Sequence, residues 1–258
     1  MLSLNELANL ADRDGVGVAT VERDYAMTHI IASVASQPIS ERLEFKGGTS
    51  LRLCHFPDYR YSADLDLNLT EGLSREEALR GIERALAETR DRLRIPHLAL
   101  SVGEAAIDFV GARGQRRPER IKLDLSDDEL SGGSVARLPV LPRYRDQQPS
   151  DGVPTYTLVE TLAEKLRCLI QRLQCRDVYD LHHLLCEEAI DPADAWGRFE
   201  EKTAHRNLDP NLFWERLDNR MSQYGRRWDD EMGSYVRSYP DFDTLERELR
   251  RALRPVGP

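Results

Sequence analysis

Two acids, Asp64 and Asp66, stand two residues apart in the stretch YSADLDLNL. On a β-strand that spacing brings both carboxylates out on one face. Hard carboxylate oxygens of this kind bind Mg²⁺, which takes one or two protein carboxylates plus substrate phosphates. Asp124, on the polar side of IKLDLS, is the candidate third acid for a two-metal clamp with ions about 3.5–4 Å apart. Acid pairs are also common on exposed strand faces, so the pair alone is a weak signal. Its context is more telling. Gly47, Gly48, Thr49 and Ser50 lie between a short strand and an apparent helix start at Leu51. Glycines there permit close backbone approach, and N–H groups at a helix start suit a phosphate. A plain strand-to-helix turn is the other reading.

Further along, Lys165 falls at the edge of the helical stripe made by Leu158, Leu162 and Leu169, with Arg172 two turns on. A half-buried lysine there either snorkels along apolar surface or turns its charge to a triphosphate. Asp177 with Arg176 suits the cap of the next helix. Asp180 is therefore the favoured catalytic acid of the two, although it could pair with Arg176. His182 and His183 read as surface residues.

The elements that must hold these residues follow from periodicity. Residues 3–12 and 19–36 read as helices, the second with an approximate apolar stripe of Val21, Tyr25, Ile30, Ile31 and Val34. LEFKGG is a short strand broken by two glycines. YSADLDLNL alternates, with Leu65, Leu67 and Leu69 opposite Asp64, Asp66 and Asn68. Ser74 and Glu77 form a capping box that opens a helix to Leu93. Strands are expected at 98–103, 105–110 and IKLDLS, with RGQRRPER as a polar turn. From Ser131 to Pro154 there are four prolines and three glycines, which predicts a connector with at most one short strand. After Thr157 the pattern is helical. The expectation is an α+β fold, a mixed sheet with flanking helices followed by a C-terminal helical bundle, divided into residues 1–150 and 151–258.

Composition narrows the classes. The 258 residues are 40% hydrophobic and 31% charged, as in a globular protein, and no apolar run is long enough for a membrane span. The N-terminus has no basic-then-apolar signal pattern, so a cytoplasmic location is expected. The four cysteines lack zinc-ligand spacing and read as buried or half-buried thiols. A net charge of −9 disfavours indiscriminate coating of nucleic acid but allows local basic patches. Arginines cluster at 113–120, 137–145 and 247–254.

A GG[ST] turn followed by a DxD resembles the core motif of the DNA polymerase beta nucleotidyltransferase superfamily. The longer strings VERDYAMTHII, LEFKGGTSLRL, YRYSADLDLNL, IKLDLS and LAEKLRCLIQRLQCRDVYDLHHLL resemble the AbiEii-type nucleotidyltransferase toxins. These include mycobacterial toxins that add nucleotides to transfer RNA. The resemblance covers roughly residues 19–187. It implies that Gly47, Gly48, Thr49 and Ser50 contact the nucleoside triphosphate, and that Asp64 and Asp66, with Asp124 as third acid, bind Mg²⁺ or Mn²⁺. Ser62 matches a serine beside the active site that is phosphorylated in some relatives. Lys165, Arg172, Asp177 and Asp180 would serve the nucleotide and the reaction from the helical half. The implied partners are a nucleoside triphosphate, RNA (in particular transfer RNA) and a cognate antitoxin encoded nearby. The basic clusters at 113–120 and 137–145 are candidates for meeting RNA. Two alternatives stand beside this: transfer to a protein or small molecule, and a nucleotide-binding protein without turnover.

Overall fold

The computed structural model describes residues 1–101, 105–127, 129–130 and 132–256. Close packing divides them into two units, residues 1–131 with 135–155 and residues 132–134 with 156–258. The division falls at Thr155–Tyr156, five residues beyond the expected boundary.

The first unit is built on a mixed sheet of seven strands: β1 (Leu43–Lys46), β2 (Asp64–Leu69), β3 (His97–Ser101), β4 (Ala106–Val110), β5 (Glu119–Ser126), β6 (Val135–Leu138) and β7 (Val153–Tyr156). Their order is β3-β4-β5-β2-β1-β7-β6. Strand β2 runs antiparallel to β1 and parallel to β5, and β1 runs parallel to β7. The alternating leucines of β2 explain its central place: Leu65, Leu67 and Leu69 are buried on one face while the polar residues take the other. Residues 102 and 103 of the expected 98–103 strand lie outside the described residues.

Among the described residues, four helices belong to this unit: α1 (Leu4–Asp14), α2 (Val18–Ala35), α3 (Gly47–Ser50) and α4 (Arg75–Leu93). Helix α4 opens on the expected capping box, in which the Ser74 hydroxyl accepts from the Glu77 N–H and Glu77 answers the Ser74 N–H. It begins the connection that returns the chain through the β3–β4 hairpin to β5, alongside β2. Helix α2 is buried over most of its surface rather than along one stripe. Its polar residues are matched inside: Arg52 pairs with Asp24, and Arg113 with Glu22. That internal matching is why periodicity understated its burial.

The proline-containing connector departs from expectation. It contributes two strands, β6 and β7, which extend the sheet beyond β1. The prolines at 139, 142 and 149 punctuate the loop between them, and Pro154 lies in a strand of only four residues.

The second unit is helical, with α5 (Leu158–Gln171), α6 (Cys175–His182), α7 (Pro192–His205), α8 (Phe213–Met232) and α9 (Phe242–Ala252). Its core includes Leu162, Leu166, Val178, Phe199, Tyr224 and Trp228. Among the described residues no helix is long and apolar enough to cross a membrane. The four cysteines are unbridged, three buried and Cys186 partly exposed. Burial pushes the thiols of Cys54, Cys168 and Cys175 up to about 12, so they stay protonated and inert.

Candidate active site

The polar face of β2 gathers the expected acids. In the parallel β2–β5 ladder Asp66 stands opposite Asp124, and Asp64 opposite Lys122. Register partners share a sheet face, so all three acids rise from the same side. Asp64 and Asp66 are partly buried. Asp124 is more open, its side chain 46% exposed, and the Lys122 ammonium lies 3.8 Å from its carboxylate. Among the described residues no group of three or more His, Cys, Asp or Glu side chains converges closely enough to enclose a metal ion by itself. The donor set nevertheless suits Mg²⁺ or Mn²⁺, because such ions need only one or two carboxylates before phosphates and water complete the shell. Asp64 and Asp66 would hold the metal, with Asp124 beside them.

The glycine turn meets this face directly. Gly47 has φ +79°, in the left-handed region. A Cβ at Gly47 would run into the Asp66 carboxylate, whose Cγ would be 3.0 Å away. At Gly48 an added Cβ would lie 2.5 Å from Nη2 of Arg60. The glycines therefore let two charged side chains pack against the turn, one a metal-ligand candidate and one a buried arginine.

Helical conformation begins at Gly47, not at Leu51, and continues through a π-turn at Leu51–His55. Thr49 and Ser50 are completely buried. Thr49 Oγ1 donates to the Asp64 carbonyl at 2.5 Å, and Ser50 Oγ to the Gly47 carbonyl at 2.9 Å. Both hydroxyls thus brace the turn from within. Ser62, the expected modification site, is 6% exposed.

An internal ion network anchors the same segment. Arg52, in the π-turn, sends Nε to Asp24 of α2 at 2.5 Å and lies 3.5 Å above the Tyr61 ring. Tyr144 donates to Asp24 at 2.7 Å, and Tyr61 to Asp14 at 2.6 Å. These bonds join the glycine turn to α1, α2 and the segment leading into β2. Asp24, Arg52, Arg60 and Lys46 were not singled out by spacing. The sequence signal for them was their place inside the strings that carry the resemblance: Asp24 in VERDYAMTHII, Lys46 and Arg52 in LEFKGGTSLRL, and Arg60 in YRYSADLDLNL.

In the helical unit Lys165, Asp177, Asp180 and Arg172 come together. Lys165 Nζ lies 2.8 Å from Asp177 and 2.6 Å from Asp180, and Arg172 Nε lies 2.7 Å from Asp177. Lys165 is 4% exposed, so it is buried rather than half-buried. Asp177 stands in the first turn of α6, as expected, but the N-cap position is Gln174 and carries no side-chain cap bond. Burial alone would raise the Asp177 pKa, but the Lys165 charge and then Arg172 reverse this and hold it well below the ordinary carboxylate range. Asp180 pairs with Lys165. Arg176 donates to Gln174 and lies over the Tyr235 ring. His182 and His183 are matched to Glu248 and Glu188.

Most of the expected basic residues are engaged within the first unit. Arg113 meets Glu22 and Glu119, Arg120 meets Asp108, Arg137 meets Glu41, and Arg145 meets Glu6. Arg143 donates to the carbonyls of Arg52 and Phe56. Arg116 and Arg117, in the turn before β5, are exposed.

Solved structures share this architecture. The nucleotidyltransferase toxin MenT4 from Mycobacterium tuberculosis H37Rv superposes with a TM-score of 0.65 at 17% identity, covering 98% of this chain and 89% of that one. JHP933 from Helicobacter pylori gives 0.60 at 16% identity, covering 93% of each chain. At these identities the likeness speaks to fold. No curated protein matches in sequence. The family model described as "Nucleotidyl transferase AbiEii toxin, Type IV TA system" matches residues 30–252, a span that contains the glycine turn, the DxD strand, β5 and the Lys165 network. The chain therefore belongs to the AbiEii family of nucleotidyltransferase toxins of toxin–antitoxin systems.

Proposed function

We propose that this toxin transfers a nucleoside monophosphate from a nucleoside triphosphate to RNA, at the 3′ end of transfer RNA, and so blocks translation and growth. The observation that carries the reaction type is Asp66 packed against the side-chain-free Gly47, with Asp64 on the same sheet face. This brings a phosphate-accommodating turn and a metal-binding carboxylate pair into contact. The choice of RNA rests on the likeness to toxins that modify transfer RNA.

The acceptor hydroxyl oxygen attacks the α-phosphorus as the bond to the bridging oxygen breaks and pyrophosphate departs. A carboxylate on the β2 face takes the hydroxyl proton. Divalent metal held by Asp64 and Asp66, with Asp124, would supply charge stabilisation for the phosphoryl group and the leaving pyrophosphate. Exposed Arg116 and Arg117 are candidates for meeting the RNA backbone. Lys165 and Asp180 are assigned to the reaction by resemblance. Lys165→Arg should preserve the fold and lose transfer, since a guanidinium does not reproduce an ammonium's geometry.

The deciding experiment incubates the protein with Mg²⁺, each labelled nucleoside triphosphate in turn, and total RNA. Wild type should label a band of transfer-RNA size with one nucleotide, and Asp64→Ala should not. Label on protein instead of RNA would overturn the acceptor assignment. Equal labelling by wild type and Asp64→Ala would overturn the catalytic one.

A further inference from the structure

Lys46, inside the string LEFKGGTSLRL, is a buried cation on the candidate active face to which the resemblance assigns no role. It ends β1, immediately before Gly47, and stands opposite Asp66 in the antiparallel ladder. Its side chain therefore lies on the carboxylate face. Nζ reaches Ser126 Oγ of β5 at 3.2 Å and Glu129 Oε1 at 2.8 Å. The side chains of Lys46 and Glu129 are only 8% and 5% exposed.

A buried ion pair is a poor choice if stability is the only purpose, because desolvating both charges offsets most of their attraction. An apolar pair of similar size would hold β1 to the segment after β5 at least as well. The position suggests another use. The face carries Asp64, Asp66 and Asp124, and Glu44 beside Asn68, all repelling a polyanionic triphosphate. A cation next to the glycine turn offsets that repulsion where the phosphates would lie. Phosphate oxygens and carboxylate oxygens are interchangeable acceptors for an ammonium.

We propose that Lys46 binds a phosphate oxygen of the nucleoside triphosphate, and that Glu129 is a built-in competitor which occupies Lys46 until nucleotide displaces it. This rests on the nucleotidyltransferase reading above. Glu129 then weakens substrate binding, because the apparent affinity is reduced by the fraction of protein in which Lys46 is available. The pair sets a threshold of triphosphate concentration for a toxin whose activity is harmful to its host.

The test measures binding of inorganic triphosphate and of each nucleoside triphosphate to the full chain by calorimetry with Mg²⁺, with thermal unfolding as the fold control. Glu129→Gln should tighten binding by about tenfold, and Lys46→Met should weaken it by at least about tenfold. Glu129→Asp, which keeps the charge on a shorter arm, should tighten it less. Combined with Lys46→Met, Glu129→Gln should have no further effect, because its benefit acts through Lys46. Glu129 variants that fold but bind triphosphate as wild type does, or more weakly, overturn the proposal. So does a Lys46→Met that folds and binds normally. A wild type that neither binds triphosphate nor transfers nucleotide would overturn the underlying enzyme reading. Normal transfer with indifferent Lys46 and Glu129 variants would overturn this inference alone.

Discussion

Gly47 illustrates how much rests on single residues. Its φ is +79°, a conformation that L side chains rarely adopt, and the Asp66 carboxylate stands where a β-carbon would lie. Gly47→Ala should push Asp66 away and reduce transfer far more than stability, for which left-handed strain costs about 1–2 kcal/mol. Parallel measurement of transfer rate and urea midpoint separates the two. Asp66→Asn, which keeps the shape but loses the charge, should lower transfer by about 100-fold or more. An unaltered rate over a range of Mg²⁺ concentrations would remove Asp66 from the metal set. Lys165 is the contrasting case. Lys165→Met removes the cation that buried Asp177 and Asp180 share and leaves Asp177 with Arg172, so unfolding free energy should fall by about 3–5 kcal/mol.

At the scale of elements, caps and buried helix residues set the tolerance of the scaffold. Ser74→Ala removes the capping box of α4 and should cost about 1 kcal/mol while leaving transfer intact. Helix α2 introduces a pH dependence. His29 is completely buried, 3.5 Å from Asp146, with Arg92 Nη1 3.2 Å from its Nδ1. Burial first, and then the Arg92 charge, lower its pKa to about 4 from the ordinary 6.5. Between these values the unfolded chain takes up a proton that the folded chain refuses. Stability therefore falls as pH drops from 6.5 towards 4 and is regained on returning above 6.5. Urea midpoints across that window should show the decline, and His29→Gln should flatten it. Asp177 acts lower on the scale. Its depressed pKa stabilises the fold above the unfolded carboxylate value, and that contribution is lost as pH falls below it.

The whole molecule carries a net charge of −9, so any binding of RNA depends on local positive charge. Internal pairing of Arg113, Arg120, Arg137 and Arg145 narrows the candidates to Arg116 and Arg117. Arg116→Glu with Arg117→Glu should weaken RNA binding and flatten its logarithmic salt dependence by roughly 0.7 for each phosphate no longer neutralised. The KM for nucleoside triphosphate should not move. An unchanged salt slope would place the RNA elsewhere on the protein.

What the sequence by itself determined is local and periodic. Alternation in YSADLDLNL put Asp64 and Asp66 on one face, the Ser74–Glu77 pair marked the start of α4, and ordered motif blocks announced the family. These signals survive because strand period, capping and chain order are written in neighbouring residues. Tertiary structure alone decided which distant residues meet. The β2–β5 register set Asp124 opposite Asp66. The approach of Asp66 and Arg60 to the glycines redefined that turn, whose Thr49 and Ser50 hydroxyls bond internally. Partners 28 residues apart made Asp24 and Arg52 a buried pair, and 83 residues separate Lys46 from Glu129. The connector likewise became strands through long-range pairing, β7 beside β1 and β6 beside β7. A charge's partner depends on which segments desolvate it together, and no local spacing encodes that.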